Sequence, residues 1–196
     1  MKRPMALWRD DPPLHELSSR QVRLRPPSID DYDSWAKLRS ASRDHTSPWE
    51  PEWAPDELTR AAYRRRMKHY DASFADGSGY PFFVFRQKDN VLIGACNLNN
   101  VRRGVLQAAD IGYWIGRPYV RRGYARAAVR LVCRFGFETA GLHRIEAACR
   151  RENAASQALL TQLRFQREGV ARQYLRIAGE WHDHDKFALL SSDQRP

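Results

Sequence analysis

The stretch Ile111-Gly112-Tyr113-Trp114-Ile115-Gly116-Arg117-Pro118-Tyr119-Val120-Arg121-Arg122-Gly123-Tyr124-Ala125-Arg126-Ala127-Ala128 runs from a strand through a loop of basic and small residues directly into a helix. After the loop, Ala125, Ala128, Val129, Val132 and Phe135 recur at helical spacing, and Arg126, Arg130, Arg134 and Glu138 fill the opposite, wet stripe. This connection makes an anion site. The N–H groups of a first helical turn have no internal partner and sit at the positive end of the helix dipole, so they can wrap a pyrophosphate. Gly123 and Ala125 keep side chains out of the way of those amides, and Arg121 and Arg122 add charge-assisted contacts. A lone glycine loop is more often a plain strand-to-helix connection, so the flanking sequence has to decide.

Working outward, residues 22–26 alternate as a strand that Pro26-Pro27 ends, and Ser28-Ile29-Asp30-Asp31 opens a helix carrying Trp35 and Leu38. A second helix is expected from Pro55 to about Tyr70, with Leu58, Ala61, Ala62 and Met67 inward and Arg64-Arg65-Arg66 outward. Three strands, 81–86, 91–100 and 105–116, form an antiparallel meander with turns at Asp89-Asn90 and Arg102-Arg103-Gly104. Downstream of the central helix come a strand over 143–149, a short helix from Asn153 through Leu163, and a hairpin of 165–177 and 181–190 turning at Ala178-Gly179-Glu180. The pattern is one α+β domain over 1–196, with an N-terminal extension (1–20) and a C-terminal tail (191–196).

Length and charge bound the function. A chain of 196 residues buries a core without disulfides or metal. Cys96, Cys133 and Cys149 are distant, odd in number and set in apolar stretches, which fits reduced core thiols and a cytoplasmic home. No stretch is apolar enough to span a bilayer or to serve as a secretory leader. The formal charge is +10 and the pI about 9.9, which favours polyanions such as ribosomal RNA or a cofactor's phosphates. The bias toward arginine, with lysine only at positions 2, 37, 68, 88 and 186, fits genome composition as well as it fits binding.

Val120-Arg121-Arg122-Gly123-Tyr124-Ala125, following the strand Asp110–Gly116, resembles the acetyl-CoA signature of the GNAT superfamily, Q/R-x-x-G-x-G/A. Val120 departs from its first position, but the signature works mainly through main-chain amides. Arg150-Arg151-Glu152-Asn153-Ala154-Ala155-Ser156, with Leu159-Leu160 and Phe165, is similar to the superfamily's second cofactor-facing motif. Asn153 is also a favoured helix N-cap. Where the family places glycine before that phenylalanine, this chain has Arg164. An arginine at positive φ costs about 1–2 kcal/mol, so the helix is expected to end differently here. Pro48-Trp49-Glu50-Pro51, Asn97–Arg103, His143-Arg144-Ile145 and Gly179–His184 stand in the order of RimJ-type enzymes, which acetylate the N-terminal alanine of a ribosomal protein; the resemblance covers about residues 20–190.

The resemblance implies a GNAT fold: a mixed, mostly antiparallel central sheet, splayed at the cofactor site, with helices on both faces. It implies acetyl-CoA as co-substrate and no metal, with Tyr113, Trp114, Ile115, Arg121, Arg122, Gly123, Tyr124, Ala125, Asn153 and Ser156 around it. Ser156 would meet the departing sulfur, and Trp49 and Glu50 the acceptor. The amine attacks directly, with no acyl-enzyme. Asp110, Glu50, Glu146 and Glu168 are the candidate bases, and the preferred reading is Asp110 acting through water while Glu50 orients the amine. Two other readings stand beside a ribosomal-protein N-terminus: a small-molecule amine as acceptor, and a non-catalytic basic module that associates with the ribosome or RNA. His182-Asp183-His184-Asp185 looks like a metal box, but alternation leaves two ligands per face, too few for zinc.

Overall fold

The computed structural model describes residues 16–193. Most of the expected N-terminal extension and residues 194–196 of the tail lie outside the described residues. Eight strands form one sheet in the order β1-β2-β3-β4-β5-β6-β8-β7: β1 Leu17–Ser18, β2 Val22–Arg25, β3 Phe83–Arg86, β4 Val91–Arg102, β5 Ala108–Ile115, β6 Arg144–Arg150, β7 Gln166–Ile177 and β8 Glu180–Leu190. β1 takes in part of what the sequence assigned to an extension. Every pairing is antiparallel except β5 with β6. That pair is joined through α4, Tyr124–Glu138, as parallel neighbours must be joined by a crossover.

Helices cover both faces. α4 and α5 (Ala154–Gln162) lie on one, where Val129, Val132 and Phe135 of α4 and Leu160 of α5 pack on Leu98, Ile111, Ile145 and Phe187. α1 (Tyr32–Ala41) and α3 (Arg60–Asp76) lie on the other, where Trp35, Tyr63 and Met67 pack on Phe83, Phe85 and Leu92. A one-turn helix, α2 (Arg43–Thr46), leads to the loop that carries Trp49.

Local chemistry sets the boundaries. Ser28 and Asp31 form a reciprocal capping box before α1, and Asp31 also takes both guanidinium nitrogens of Arg25. α3 starts later than expected because residues 54–59 close as successive turns and the Thr59 hydroxyl caps the helix by accepting from the Ala62 amide. This shift makes Tyr63, fully buried with its hydroxyl on the Ser28 carbonyl, the main core residue of the helix, and leaves Ala61 exposed.

The end of α5 overturns the expectation at Arg164. The Arg164 amide bonds the Thr161 carbonyl and the Phe165 amide bonds the Leu160 carbonyl, each at 3.0 Å, a full Schellman motif sealed by buried Leu160 and Phe165. Arg164 sits at φ 67°, so the chain keeps the usual helix end and tolerates a side chain where glycine fits better. Arg164→Gly should therefore remove about 1 kcal/mol of strain and raise the melting temperature by about 2–4 °C. A thermal melt monitored by circular dichroism measures the shift.

Candidate functional site

The site begins where two strands part. β5 and β6 pair over only three positions, Ala108 with Arg144, Ala109 with Ile145 and Asp110 with Glu146. Beyond them, Ile111–Ile115 keep their bonds to β4 on one side, while Ala147–Arg150 stay paired with β8. The facing edges of β5 and β6 are left open to each other, and backbone groups on an open edge need a partner. A cavity of about 1350 Å³ fills the gap, more than the roughly 300–1,000 Å³ of an ordinary small-ligand pocket.

At one side of this cavity lies the start of α4. Gly123 stands at φ 79° as the N-cap and contributes no side-chain cap, and no acidic residue occupies the first turn. The nearest atoms to a Cβ placed there belong to Gln21, 3.6 Å or more away, so backbone conformation rather than crowding calls for glycine. Arg121, Gly123, Tyr124, Ala125 and Arg126 line the cavity, and Arg122 does not. The free amides, the missing cap and the open β5 edge together fit a long ligand with a diphosphate at one end.

Deeper in, Tyr113, Cys149 and Ser156 form one wall, on the α4/α5 face. Asn153 caps α5 by accepting from the Ser156 amide at 3.0 Å, which fixes Ser156 in the first turn. Its hydroxyl is 2.8 Å from the Tyr113 hydroxyl. Burial pushes the Tyr113 phenol far up, against a smaller opposite effect of the Ser156 hydrogen bond, so the pair holds its protons at neutral pH. Burial also pushes the Cys149 thiol up to about 11. It is therefore a thiol rather than a thiolate, and a poor nucleophile.

The opposite face of the sheet carries the other wall. Strand alternation puts Trp114 behind Tyr113 and Arg150 behind Cys149, and His184, the cross-strand partner of Arg150, shares that face. Arg150 donates to the Pro48 carbonyl at 3.1 Å and lies over Trp49, 5.7 Å from its ring centre. The Ala178 amide bonds the Glu50 carbonyl. The Trp49 loop is thus tied across the cavity to β6 and to the β7–β8 turn. Glu50 is held by four donors, both terminal nitrogens of Arg39, Thr46 Oγ1 and Trp53 Nε1. Arg39 is itself 6% exposed and stacks on Trp53 and Trp114.

Of the residues singled out in the sequence, Trp49, Glu50, Tyr113, Trp114, Ile115, Arg121, Gly123, Tyr124, Ala125, Asn153 and Ser156 all line this cavity; Asp110 and Arg122 do not. Asp110 accepts from both terminal nitrogens of Arg102 and from the Asn100 amide. Burial alone would raise its pKa, but Arg102 and Asn100 outweigh it and hold the carboxyl below the usual range. Glu146 is taken by Arg102 and Arg144, and Glu168 by Arg144. Three of the four candidate bases therefore form an ion-pair ladder at the vertex of the splay. Asp110 is outside the cavity lining and clamped within that ladder.

Sequence reasoning missed Arg39 and His184. Nothing in α1 marks Arg39 as the partner of Glu50, 11 residues on. For His184 there was a signal, the alternation that separates His182 and His184 from the aspartates, but it pointed to two histidines without saying which is inside. The structure buries His184, leaves His182 partly exposed and pairs Asp185 with Arg167. His184 Nδ1 lies 2.9 Å from the His182 carbonyl, which can only accept, so Nδ1 carries the proton and Nε2 the lone pair. Nε2 has no protein partner and is not fully enclosed, since no buried polar side-chain atom among the described residues lacks a partner, and His184 is among the residues that line the cavity. Burial, assisted by His182, Arg150 and Lys186 and opposed by the bond to His182, lowers its pKa, and the ring is neutral at pH 7. Among the described residues no three His, Cys, Asp or Glu side chains come together as a metal site.

The sequence profile of the acetyltransferase (GNAT) domain matches residues 21–166. The chain belongs to the GNAT acetyltransferase family. It is similar to a probable N-acetyltransferase, YjcK, of Bacillus subtilis, 33% identical over 177 residues that cover 90% of this chain and 98% of the relative. It is 30% identical over 191 residues to the ribosomal protein uS5-alanine N-acetyltransferase of Escherichia coli, covering 96% of this chain and 97% of the relative. The solved structure of Mycobacterium smegmatis RimJ in complex with CoA-disulfide superposes with a TM-score of 0.86 at 31% identity, covering 93% of this chain and 88% of that one. The α+β architecture is accordingly the GNAT fold, and the chain is an acetyl-CoA-dependent N-acetyltransferase of that kind.

The ladder has a thermodynamic signature. A carboxyl whose folded pKa is depressed stabilises the fold above its unfolded pKa, near 3.9, and that contribution fades as pH falls toward the folded value. Asp110→Asn should lose about 1 kcal/mol at pH 7, with the difference from wild type vanishing at strongly acidic pH, while the rate of acetyl transfer stays unchanged. Urea unfolding across pH, beside a turnover assay, measures both; a large loss of rate without loss of stability would return Asp110 to the catalytic groups.

Proposed function

We propose that this enzyme acetylates the N-terminal α-amine of a ribosomal protein, with alanine as the acetylated residue. Two of its relatives support the reading by their names and by near-complete mutual coverage. The observation that carries it is chemical: the acceptor wall offers no strong base. Of the carboxylates lining the cavity, Glu50 and Glu57 are paired with Arg39 and Arg66, and Glu52 and Glu152 are exposed. An α-amine needs little help, since deprotonating it at pH 7 costs about 1.4 kcal/mol against about 4.6 kcal/mol for lysine.

When bound, acetyl-CoA supplies the activated thioester. The residues expected to hold it are the α4 first-turn amides of Tyr124 and Ala125 with Gly123 and Arg121, the open β5 edge at Tyr113–Ile115, and α5 at Asn153 and Ser156. Trp49 and Trp114 flank the acceptor, and Glu50 keeps the Trp49 loop in place through its four donors. His184 Nε2 accepts the proton that the amine gives up on attack, and the hydrogen-bonded Ser156 and Tyr113 hydroxyls return one to the departing sulfur. Cys149 stays protonated, so the acetyl group passes directly between the two ligands.

The test is release of free thiol from acetyl-CoA with peptides that differ at the N-terminus. Turnover on Ala-initiated peptides with kcat/KM rising through about pH 8, the ionisation of the α-amine, is expected; turnover confined to small amines or to lysine side chains refutes the acceptor. His184→Gln and Ser156→Ala should each lower kcat about 10–100-fold with acetyl-CoA affinity kept. Gly123→Val should do the reverse, weakening acetyl-CoA binding roughly 100-fold, about 2.7 kcal/mol, by calorimetry.

A further inference from the structure

The arginines of this chain divide into two populations. Among the described residues eleven reach a carboxylate, Arg25 on Asp31, Arg39 on Glu50, and Arg102 and Arg144 in the ladder among them. Even the outward run Arg64-Arg65-Arg66 is largely neutralised, Arg65 by Asp56 and Arg66 by Glu57.

The outer face of α4 behaves differently. Arg126, Arg130 and Arg134 follow one another at four-residue intervals, with Arg122 in the loop just before the Gly123 N-cap, all exposed and all without a protein partner among the described residues. On the helix such residues form one row, about 6 Å apart along the axis. The arrangement works against the helix. Like charges at this spacing repel, and Arg126 occupies the first turn, where the helix dipole is already positive and no acidic residue offsets it. Gln21 touches the space beside Gly123, so the β1–β2 turn brings Arg20, also exposed and unpaired, to the head of the row.

We infer that this row is a docking surface for the phosphate backbone of RNA. Three guanidinium groups on one rigid helix, with Arg122 ahead of it, present planar bidentate donors at regular intervals, which suits a ladder of phosphates better than the irregular carboxylates of an acidic protein. A membrane surface is disfavoured because the apolar residues of α4, Val129, Val132 and Phe135 among them, are buried in the core and leave nothing to insert between lipids. The row begins at the cavity, which Arg126 lines, and runs away from it through Arg130 and Arg134, so RNA held on it lies across the sheet from the Trp49 loop. The inference does not depend on the identity of the acceptor.

The experiment is fluorescence anisotropy of the full chain with a short labelled RNA hairpin between about 50 and 200 mM salt. Arg130→Gln with Arg134→Gln, two positions outside the cavity lining, should weaken binding roughly tenfold and reduce the slope of log K against log salt by about 1.4–1.8, the share of two phosphates. A control pair, Arg64→Gln with Arg172→Gln, removes the same charge from exposed arginines elsewhere and should shift affinity less than about twofold. Melting curves of both variants confirm that they fold. Equal effects of the two pairs, no RNA binding by wild type, or the same dependence seen only with phosphatidylserine vesicles would overturn the inference, the last in favour of a lipid surface.

Discussion

The molecule depends on one limited pairing. β5 and β6 are hydrogen-bonded neighbours for three residues and then part, and the last pair in register sets Asp110 beside Glu146. Two carboxylates side by side would drive the strands apart everywhere. Arg102 reaches both, and Arg144 extends the chain of charges to Glu168 on β7. The ladder holds four strands together at the vertex while the sheet beyond it stays open.

From that vertex the two halves of the site follow by strand alternation alone. Tyr113 and Cys149 look toward α4 and α5, and Trp114, Arg150 and His184 look toward α1 and the Trp49 loop. On the proposed reading, a ligand entering at the head of α4 and a second one entering under Trp49 approach from opposite faces and meet through the slit between the strands. The Trp49 loop is fixed by contacts made elsewhere, from Arg39, Arg150 and Ala178, so the acceptor wall is built before any acceptor arrives.

Much of this was legible in the sequence because it is local. The strand, glycine and helix of residues 111–128 need only neighbours in the chain to declare themselves, and Asn153 three residues before Ser156 reads as a cap in any context. What could not be read was long-range. Asp110 looked like a base because its strand leads to the site, yet Arg102 and Asn100 at the end of the neighbouring β4 clamp it, and Arg102 is shared with Glu146 of β6. Arg39 and Glu50 find each other through the packing of α1 on the sheet. The register of β8 against β6, which puts His184 and not His182 in the wall, depends on pairing across more than thirty positions. Arg164 failed for the opposite reason: a local rule about positive φ was applied where the buried contact of Leu160 with Phe165 outweighs it.

The pairing of carboxylates with arginines also bears on selectivity. A strong, unpaired base in the acceptor wall would deprotonate lysine and α-amines alike, and the choice between them would rest on shape. Here the only base proposed in the wall is an imidazole whose own pKa is lowered, too weak to strip a lysine. The difference in ionisation between the two kinds of amine, about 2.4 pK units, then passes undiminished into the rate and favours the chain terminus by a factor of roughly 250 before any contact with the peptide is counted. On the proposed reading, neutralising its own acids is how this enzyme tells an N-terminus from a side chain.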